Sequence, residues 1–368
     1  MRSLLSGRRR PSRRRLLRVA VPAPLVTLTK TLPKTGNGRV WLHVLRSLEG
    51  RVALEVVESR PLSSSGGADV WLTDGHWGAL NVGEPVVAAV HEVGWTTREL
   101  RRFLQPGFAG QVAAGTGAGV LAAARVLAPS QSSRSQVLDA FAVDAERVHM
   151  VPYGVDASLF RPGLAGGRAR VDAVSLSASA PYVLFVGSLH PRKNLAALRQ
   201  AMAALARRGF GHVLALVAAD ALDRDDRIDL RRMGEAELPG APGRIVSIPS
   251  GEDTELAALM AGADAVCLPS FSEGFGLPVL EAMACGTPMV VSDRGALPEL
   301  VGGGGLVVPP TAKAVEEALA GILSDAALAG RLGAAARRRA EGFTWERTAD
   351  GWLHALERAA GEAHDGLS

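Results

Sequence analysis

Short apolar runs alternate with amphipathic stretches along this chain, a pattern typical of βαβ units and parallel sheets. In the first half, the apolar runs predict six strands, at residues 17–21, 52–57, 69–72, 85–90, 126–128 and 148–151. In the second half, they predict six more, at residues 182–186, 213–217, 244–248, 264–268, 289–292 and 306–308. Because such units join by right-handed crossovers, we expect an α/β fold with doubly wound sheets.

The same pattern divides the chain into two domains. Residues 160–181 are rich in Gly, Pro, Ser and Ala and have little periodicity, which is typical of a linker. We therefore predict an N-terminal domain over 16–165, a linker over 166–181 and a C-terminal domain over 182–343. A final amphipathic helix is predicted within 344–368, and residues 1–15 form a basic arm.

Composition supports a globular protein, with 47% hydrophobic and 21% charged residues. The net charge of +4 comes from the arm, because residues 1–18 hold eight arginines and no acid, while the rest holds 33 basic and 37 acidic residues. Such an arm suits peripheral contact with an anionic membrane surface, and disorder is the alternative. No specific nucleic-acid partner is expected. Two cysteines in apolar surroundings and no apolar stretch of 18 residues predict a cytoplasmic protein, in which the arm would touch the cytoplasmic face of a membrane.

Two predicted strand ends in the second half carry candidate chemistry. The first is the segment GSLHPRKN, which begins at Gly187 after a strand and precedes a helix. Its adjacent cations, Arg192 and Lys193, can meet a diphosphate, the arginine by a bidentate fork and the lysine as a point charge. Ligands of doubly wound sheets bind at such carboxyl ends.

The second strand end is followed by a glycine-bearing loop and a helix whose first turn holds Pro278. The backbone N–H groups of this helix start, at Gly274, Phe275, Gly276 and Leu277, would make an anion site. Glu273 precedes these amides and Glu281 follows them, so two carboxylates could hold two hydroxyl-bearing ends of a ligand whose phosphates lie between. A nucleotide sugar, with a ribose diol, a diphosphate and a hexose, has that layout.

The string EGFGLPVLEAMACGTPMVVSD, together with GSLHPRKNL, closely resembles the family 4 retaining glycosyltransferases. The resemblance runs nearly from residue 182 to residue 352. It implies the GT-B fold, in which two Rossmann-like domains face a central cleft. It also implies that Glu273 contacts the donor sugar, that Glu281 binds the ribose diol, and that Arg192 and Lys193 neutralise the leaving diphosphate.

The resemblance is weaker in the first half. His91 follows an apolar strand where the family places a histidine near the donor sugar, and residues 36–38, Gly36-Asn37-Gly38, resemble the family's first glycine loop. This family more often shows two adjacent glycines there. By the same analogy the N-terminal domain would bind the acceptor, and the last helix would cross back to that domain.

The resemblance implies transfer of a hexosyl group from a UDP- or GDP-linked sugar to an acceptor hydroxyl with retention of configuration. The acceptor would be a glycan, a lipid-linked sugar or a small molecule. Neither a metal nor a cofactor is expected, and the acidic triplet at 223–225 is interpreted as a solvated face. The alternatives are a non-catalytic nucleotide-sugar-binding subunit, a sugar-nucleotide epimerase and a phosphorylase.

A nicotinamide oxidoreductase would suit the predicted sheets but lacks its fingerprint. Residues 115–119, Gly-Thr-Gly-Ala-Gly, are not a GxGxxG motif and follow no convincing strand. We interpret this segment as flexible or closely packed.

Overall fold

The computed structural model describes residues 15–31, 35–58, 67–93, 106–173, 181–218, 245–249 and 251–365. In these ranges, two six-stranded sheets contain parallel strands throughout, in the orders β2-β1-β3-β4-β5-β6 and β12-β11-β10-β7-β8-β9. We call the part built on the first sheet the N-terminal domain and the part built on the second the C-terminal domain. The prediction of an α/β fold with two doubly wound sheets is confirmed.

All twelve predicted strands are present, and their ends differ from the prediction by two residues at most. The first sheet contains β1 Arg18–Pro22, β2 Ala53–Val57, β3 Val70–Asp74, β4 Val86–Ala89, β5 Arg125–Ala128 and β6 Val148–Met150. The second contains β7 Tyr182–Val186, β8 Val213–Ala218, β9 Ile245–Pro249, β10 Ala265–Leu268, β11 Met289–Ser292 and β12 Leu306–Val308. Strands such as β3 and β7 are buried at every position, which explains why they are continuous apolar runs in the sequence.

Helices connect the strands. In the N-terminal domain they are α1 Ala23–Thr31, α2 Gly36–Leu48, α3 Pro106–Ala122 and α4 Gln131–Ala140. Those that follow are α5 Gly167–Asp172, α6 Leu195–Arg207, α7 Asp253–Gly262, α8 Leu277–Ala284, α9 Leu297–Val301, α10 Ala312–Ser324, α11 Ala326–Ala340 and α12 Trp345–Asp365. No single helix in the described ranges is long and apolar enough to cross a membrane. The segments Ala312–Ser324 and Ala326–Ala363 have the required length and composition only as a pair, and the angle between them is 102°.

Each sheet has a point at which the strand order reverses. In the first sheet, β1 lies between β2 and β3, so the reversal lies between β1 and β3. In the second sheet, it lies between β7 and β10. Because ligands of doubly wound folds bind outside the carboxyl ends of the strands at these points, the segments that follow β3, β7 and β10 are the first places to look for a site.

Two helices link the domains. Helix α5 lies inside the predicted linker and packs on α7, where Gly167 is so close to the Ala258 carbonyl that a Cβ would come within 2.2 Å of it. Helix α12 packs on α2 and on three strands of the first sheet. It places Trp352 edge-on against Trp41, with ring centroids 5.2 Å apart, and both side chains are fully buried.

Candidate active site

A cavity of about 660 Å³ lies between the two sheets, at the carboxyl ends of their strands. Most residues singled out in the sequence line it, namely Gly36, His91, Gly187, Arg192, Lys193, Glu273, Gly274, Phe275, Gly276 and Leu277. Two do not line it, Gly38 and Glu281. The cavity has the size and concave shape of a small-molecule site.

Arg192 and Lys193 lie in a 3-10 turn, Pro191–Lys193, within the segment that follows β7. Asn194 ends this turn in a left-handed conformation, with φ 54°, and its Nδ2 donates to the carbonyls of Pro269 at 3.0 Å and Pro310 at 2.9 Å. The amide of Phe271 donates to the Arg192 carbonyl at 2.7 Å. These bonds tie the cationic turn to the segment that follows β10, so the two candidate segments form one structural unit.

Glu273 is held by this cationic turn. Its carboxylate accepts hydrogen bonds from Lys193 Nζ at 2.6 and 2.8 Å and from Ser270 Oγ at 2.7 Å, and it lies 3.4 Å from Arg192. Burial opposes ionisation of this carboxyl, but the Lys193 and Arg192 charges outweigh it and lower its pKa to about 2. Glu273 is therefore ionised at neutral pH, and the positive charge of the turn is partly neutralised by it.

Arg192 also reaches across the cavity. Its guanidinium lies 3.2 Å from the Glu92 carboxylate of the N-terminal domain and donates to the Ser272 carbonyl at 2.9 Å. Glu92 is a site residue that the motif reasoning missed. Its place directly after His91 is the only signal that the sequence offers for it.

Glu281 lies in the second turn of α8, where its carboxylate forms an ion pair with Arg39 at 2.8 Å. Arg39 belongs to α2 of the N-terminal domain and also lies 3.7 Å from Asp253. The second oxygen of Glu281 is buried without a hydrogen-bond partner in the described structure. Burial raises the pKa of Glu281 to about 7, although Arg39 acts in the opposite direction.

Arg39 was not predicted as a site residue. It lines the cavity, and it stands one residue after the Gly36-Asn37-Gly38 segment. That segment is the first turn of α2, whereas a loop was expected. Thr35 caps the helix, and its side chain accepts from the Gly38 amide at 3.1 Å, so this amide is already used.

His91 is hydrogen-bonded at one ring nitrogen, and its other ring nitrogen lies close to a carboxylate without forming a hydrogen bond. Nδ1 lies 2.5 Å from the Tyr153 hydroxyl, and Nε2 lies 3.3 Å from Asp74 Oδ2. Burial opposes ionisation of Asp74, but the neighbouring His91 and His76 lower its pKa to about 2. Neither Asp74 nor Tyr153 carries a sequence signal, since both lie far from His91 along the chain.

The loop at Gly274 touches the N-terminal domain. The Gly274 carbonyl accepts hydrogen bonds from the hydroxyls of Ser130 at 2.7 Å and Ser133 at 2.8 Å. A Cβ at this position would come within 2.0 Å of the His91 carbonyl, so a side chain has no room here. Gly276 then adopts φ 102° immediately before α8 begins. The glycines thus allow the backbone at the start of α8 to lie against the cavity and against the other domain.

In the described ranges, no group of three or more His, Cys, Asp and Glu side chains is arranged to hold a metal ion. The acidic triplet at 223–225 and residues 1–14 of the basic arm lie outside the described residues.

Over part of its length, the chain is similar to proteins named as glycosyltransferases. Residues 171–339 match the family described as "Glycosyl transferases group 1". The MMP alpha-(1->4)-mannosyltransferase of Mycolicibacterium hassiacum is 36% identical over 249 residues, which cover 64% of this chain and 54% of that protein. The D-inositol 3-phosphate glycosyltransferase of Nocardia farcinica is 34% identical over 250 residues, covering 65% of this chain and 54% of that protein. The chain therefore spans about half the length of the curated relatives it matches.

Solved structures share the fold over nearly the whole chain. Sucrose-phosphate synthase from Thermosynechococcus elongatus superposes with a TM-score of 0.76 at 22% identity and covers 95% of this chain and all of that one. HepE of Anabaena, solved in complex with UDP-glucose, superposes with a TM-score of 0.65 at 19% identity, covering 93% of this chain and 99% of that one. With the two parallel sheets, these likenesses show that the chain has the GT-B fold.

Proposed function

We propose that this chain, which has the GT-B fold, is a glycosyltransferase that moves a hexosyl group from a UDP- or GDP-linked sugar to an acceptor hydroxyl with retention of configuration. One observation carries the proposal. The carboxyl ends of β7 and β10 bring Arg192, Lys193, Glu273 and the start of α8 together on one wall of the cavity between the domains. This is the reversal point of the second sheet, where a nucleotide is expected to bind.

The cationic wall suits a leaving diphosphate. As a glycosidic bond breaks, negative charge develops on the diphosphate, and fixed cations in a water-poor cavity stabilise that charge. Arg192 and Lys193 are both largely buried, and the N-terminus of α8 adds the positive end of a helix dipole. In the proposed complex, the diphosphate binds Arg192 and Lys193, and both cations also keep their contacts with Glu273.

The two glutamates suit the two polar ends of the donor. Glu273 lines the cavity beside the cations, so we assign it to the hexose. Glu281 lies in the second turn of α8, and its buried second oxygen could accept a hydrogen bond from a ribose hydroxyl. Arg39 would have to share or release Glu281 when the nucleoside binds.

The relatives support the reaction type. The two described above are named as a mannosyltransferase and an inositol-phosphate glycosyltransferase, and HepE was solved with UDP-glucose. Retention of configuration is proposed from the resemblance of the Glu273–Glu281 segment to the retaining family.

The proposal is tested by nucleotide release in EDTA, since the cations of the chain itself would neutralise the diphosphate. UDP-, GDP- and ADP-linked hexoses are supplied with and without alcohol acceptors, and released nucleoside diphosphate and glycosylated product are measured. We expect release from one donor, stimulated by an acceptor, and a fall of about 10²-fold in turnover for Lys193→Gln.

The matched control is Arg208→Gln, which removes an exposed cation paired with Glu316 and should leave turnover unchanged. Donor binding without turnover on any acceptor would instead indicate a non-catalytic subunit. Formation of an epimerised sugar without any acceptor would indicate an epimerase, and full activity of Lys193→Gln would contradict the role of the cationic wall.

A further inference from the structure

The turn that follows β3, Gly75–Trp77, faces the cavity at the reversal point of the first sheet. We propose that His76 and Trp77 form the acceptor subsite. A pyranose or cyclitol ring stacks on Trp77, and one of its hydroxyls donates a hydrogen bond to Nε2 of His76. The inference rests on the proposed function and names the class of acceptor.

Hydrogen bonds fix which ring nitrogen of His76 is available. Nδ1 lies 2.8 Å from Thr116 Oγ1, and the Thr116 hydroxyl donates its only proton to the Val112 carbonyl at 2.8 Å. Thr116 can therefore only accept from His76, so Nδ1 carries the proton and Nε2 carries a lone pair. Burial lowers the pKa of His76, partly opposed by Asp74, which favours the neutral ring at neutral pH.

The lone pair of Nε2 is open to the cavity. Within the described ranges, no residue forms a hydrogen bond with this atom, and it is not among the fully buried polar atoms that lack a partner. His76 itself lines the cavity. A neutral imidazole with an accessible lone pair is a hydrogen-bond acceptor, and a sugar hydroxyl is a suitable donor for it.

The chain holds this turn rigidly. Asp74 Oδ1 accepts from the His76 amide at 2.9 Å. On the other side, α3 packs its glycine-rich segment 115–119 against the turn: a Cβ at Gly119 would come within 2.2 Å of the Gly75 carbonyl, and one at Gly115 within 3.0 Å of the His76 carbonyl. The segment is thus closely packed, one of the two interpretations that the sequence left open, and its glycines and Thr116 together position His76.

Trp77 supplies an apolar surface in the same place. It lines the cavity and is 43% exposed, which is unusual for a tryptophan in a chain where Trp41, Trp71 and Trp352 are fully buried. An indole face offers flat apolar area to the C–H face of a sugar or cyclitol ring. Leu28 and Val112 extend this apolar wall.

The proposed subsite lies beside His91, which in turn contacts the loop at Gly274. The His76 and His91 rings are 6.3 Å apart, and the His91 carbonyl packs against Gly274 of the donor loop. Of the described cations of the cavity, Arg192 and Lys193 are assigned to the donor diphosphate, and Arg39 is paired with Glu281. These features favour an uncharged ring hydroxyl at His76 over a charged acceptor group.

The test uses methyl α-D-mannopyranoside and myo-inositol as acceptor probes, with slow donor hydrolysis by water as the internal reference. In His76→Ala and Trp77→Ala, we expect the KM of the accepted probe to rise at least about ten-fold, while donor affinity and donor hydrolysis stay as in wild type. His76→Gln, whose amide oxygen can accept at the position of Nε2, should recover part of the loss. The control is His354→Ala, on the exposed face of α12, which should change nothing.

A second measurement does not depend on turnover. The change in tryptophan fluorescence on adding each probe should saturate in wild type and be lost in Trp77→Phe, because the ring covers an exposed indole; the preferred probe tells a pyranose from a cyclitol. Unchanged probe KM in folded His76→Ala and Trp77→Ala, or absence of a saturable fluorescence change with both probes, overturns the subsite. A saturable fluorescence change without nucleotide release from any donor would support the subsite and contradict the proposed function instead.

Discussion

Two glutamates in one motif have opposite electrostatic environments. Glu273 is surrounded by Lys193, Arg192 and Ser270, and its pKa is lowered to about 2. Glu281 is buried with Arg39 as its ion-pair partner, and its pKa is raised to about 7. At neutral pH the first carboxyl is fully ionised, whereas the second is close to its titration midpoint. Two residues of the same chemical type therefore differ in charge because their surroundings differ.

This difference predicts a pH effect on the ligand-free protein. Since the folded state holds a proton on Glu281 at pH values where the unfolded chain has lost it, stability falls as pH rises from about 4.5 to about 7. Over that range, wild type should lose about 3 kcal/mol of unfolding free energy relative to Glu281→Gln, whose side chain does not titrate. Denaturant unfolding of both proteins across the range measures the difference.

The contribution of Glu273 has the opposite sign, because its pKa is lowered: it is present above about pH 4.5 and is lost as the pH falls towards 2. This acid-side loss is shared by wild type and Glu281→Gln and therefore cancels in the comparison. A difference between the two proteins that stayed constant between pH 4.5 and 7 would contradict the buried environment assigned to Glu281.

Site residues that lie in a sequence motif could be predicted, whereas those that come together only in the folded structure could not. Arg192, Lys193, Glu273 and Glu281 could be selected because their spacing around a strand end and a helix start has a chemical meaning. Arg39 could not, because its partner lies in the other domain. The same holds for Asp74 and Tyr153 around His91, since their contacts depend on how β3, β4 and the segment after β6 pack.

At the scale of elements, the strands were the most predictable part of the molecule. Strands covered on both faces are short continuous apolar runs, and glycine or polar residues mark their ends, as at Gly187 after β7. Two features were harder to predict from local composition. Residues 36–38 begin a helix because Thr35 caps it, and part of the predicted linker is the helix Gly167–Asp172.

Substitutions in helix α3 test whether its close packing against the turn Gly75–Trp77 positions His76. Gly119→Ala would push a Cβ against the Gly75 carbonyl, so we expect this variant to lose stability and to weaken acceptor binding. Gly110→Ala, in the same helix, has no atom near the added Cβ and should gain about 0.5–1 kcal/mol from helix propensity. Thermal unfolding of the two variants makes the comparison. If Gly119→Ala proved as stable as Gly110→Ala, the packing argument would be wrong.

At the scale of the whole molecule, polar contacts join the two domains beside the cavity. The Glu299 carboxylate of α9 accepts from the amides of Gln131 at 3.1 Å and Ser132 at 3.0 Å, at the N-terminus of α4. Ser130 donates to the Gly274 carbonyl close by, and Arg39 bridges to Glu281. These contacts set the distance between the cationic wall and the turn Gly75–Trp77. The two domains therefore share one ligand-sized cavity.

We propose that this shared cavity binds a nucleoside diphosphate and its sugar. The most direct test is thermal unfolding in EDTA with UDP, GDP, ADP and NAD, for wild type and Glu281→Ala. We predict that one diphosphate raises the Tm of wild type, that NAD does not, and that Glu281→Ala needs a higher concentration, since losing charge-assisted hydrogen bonds costs about 2–3 kcal/mol of binding. No shift with any diphosphate, or an equal shift in Glu281→Ala, would contradict the account.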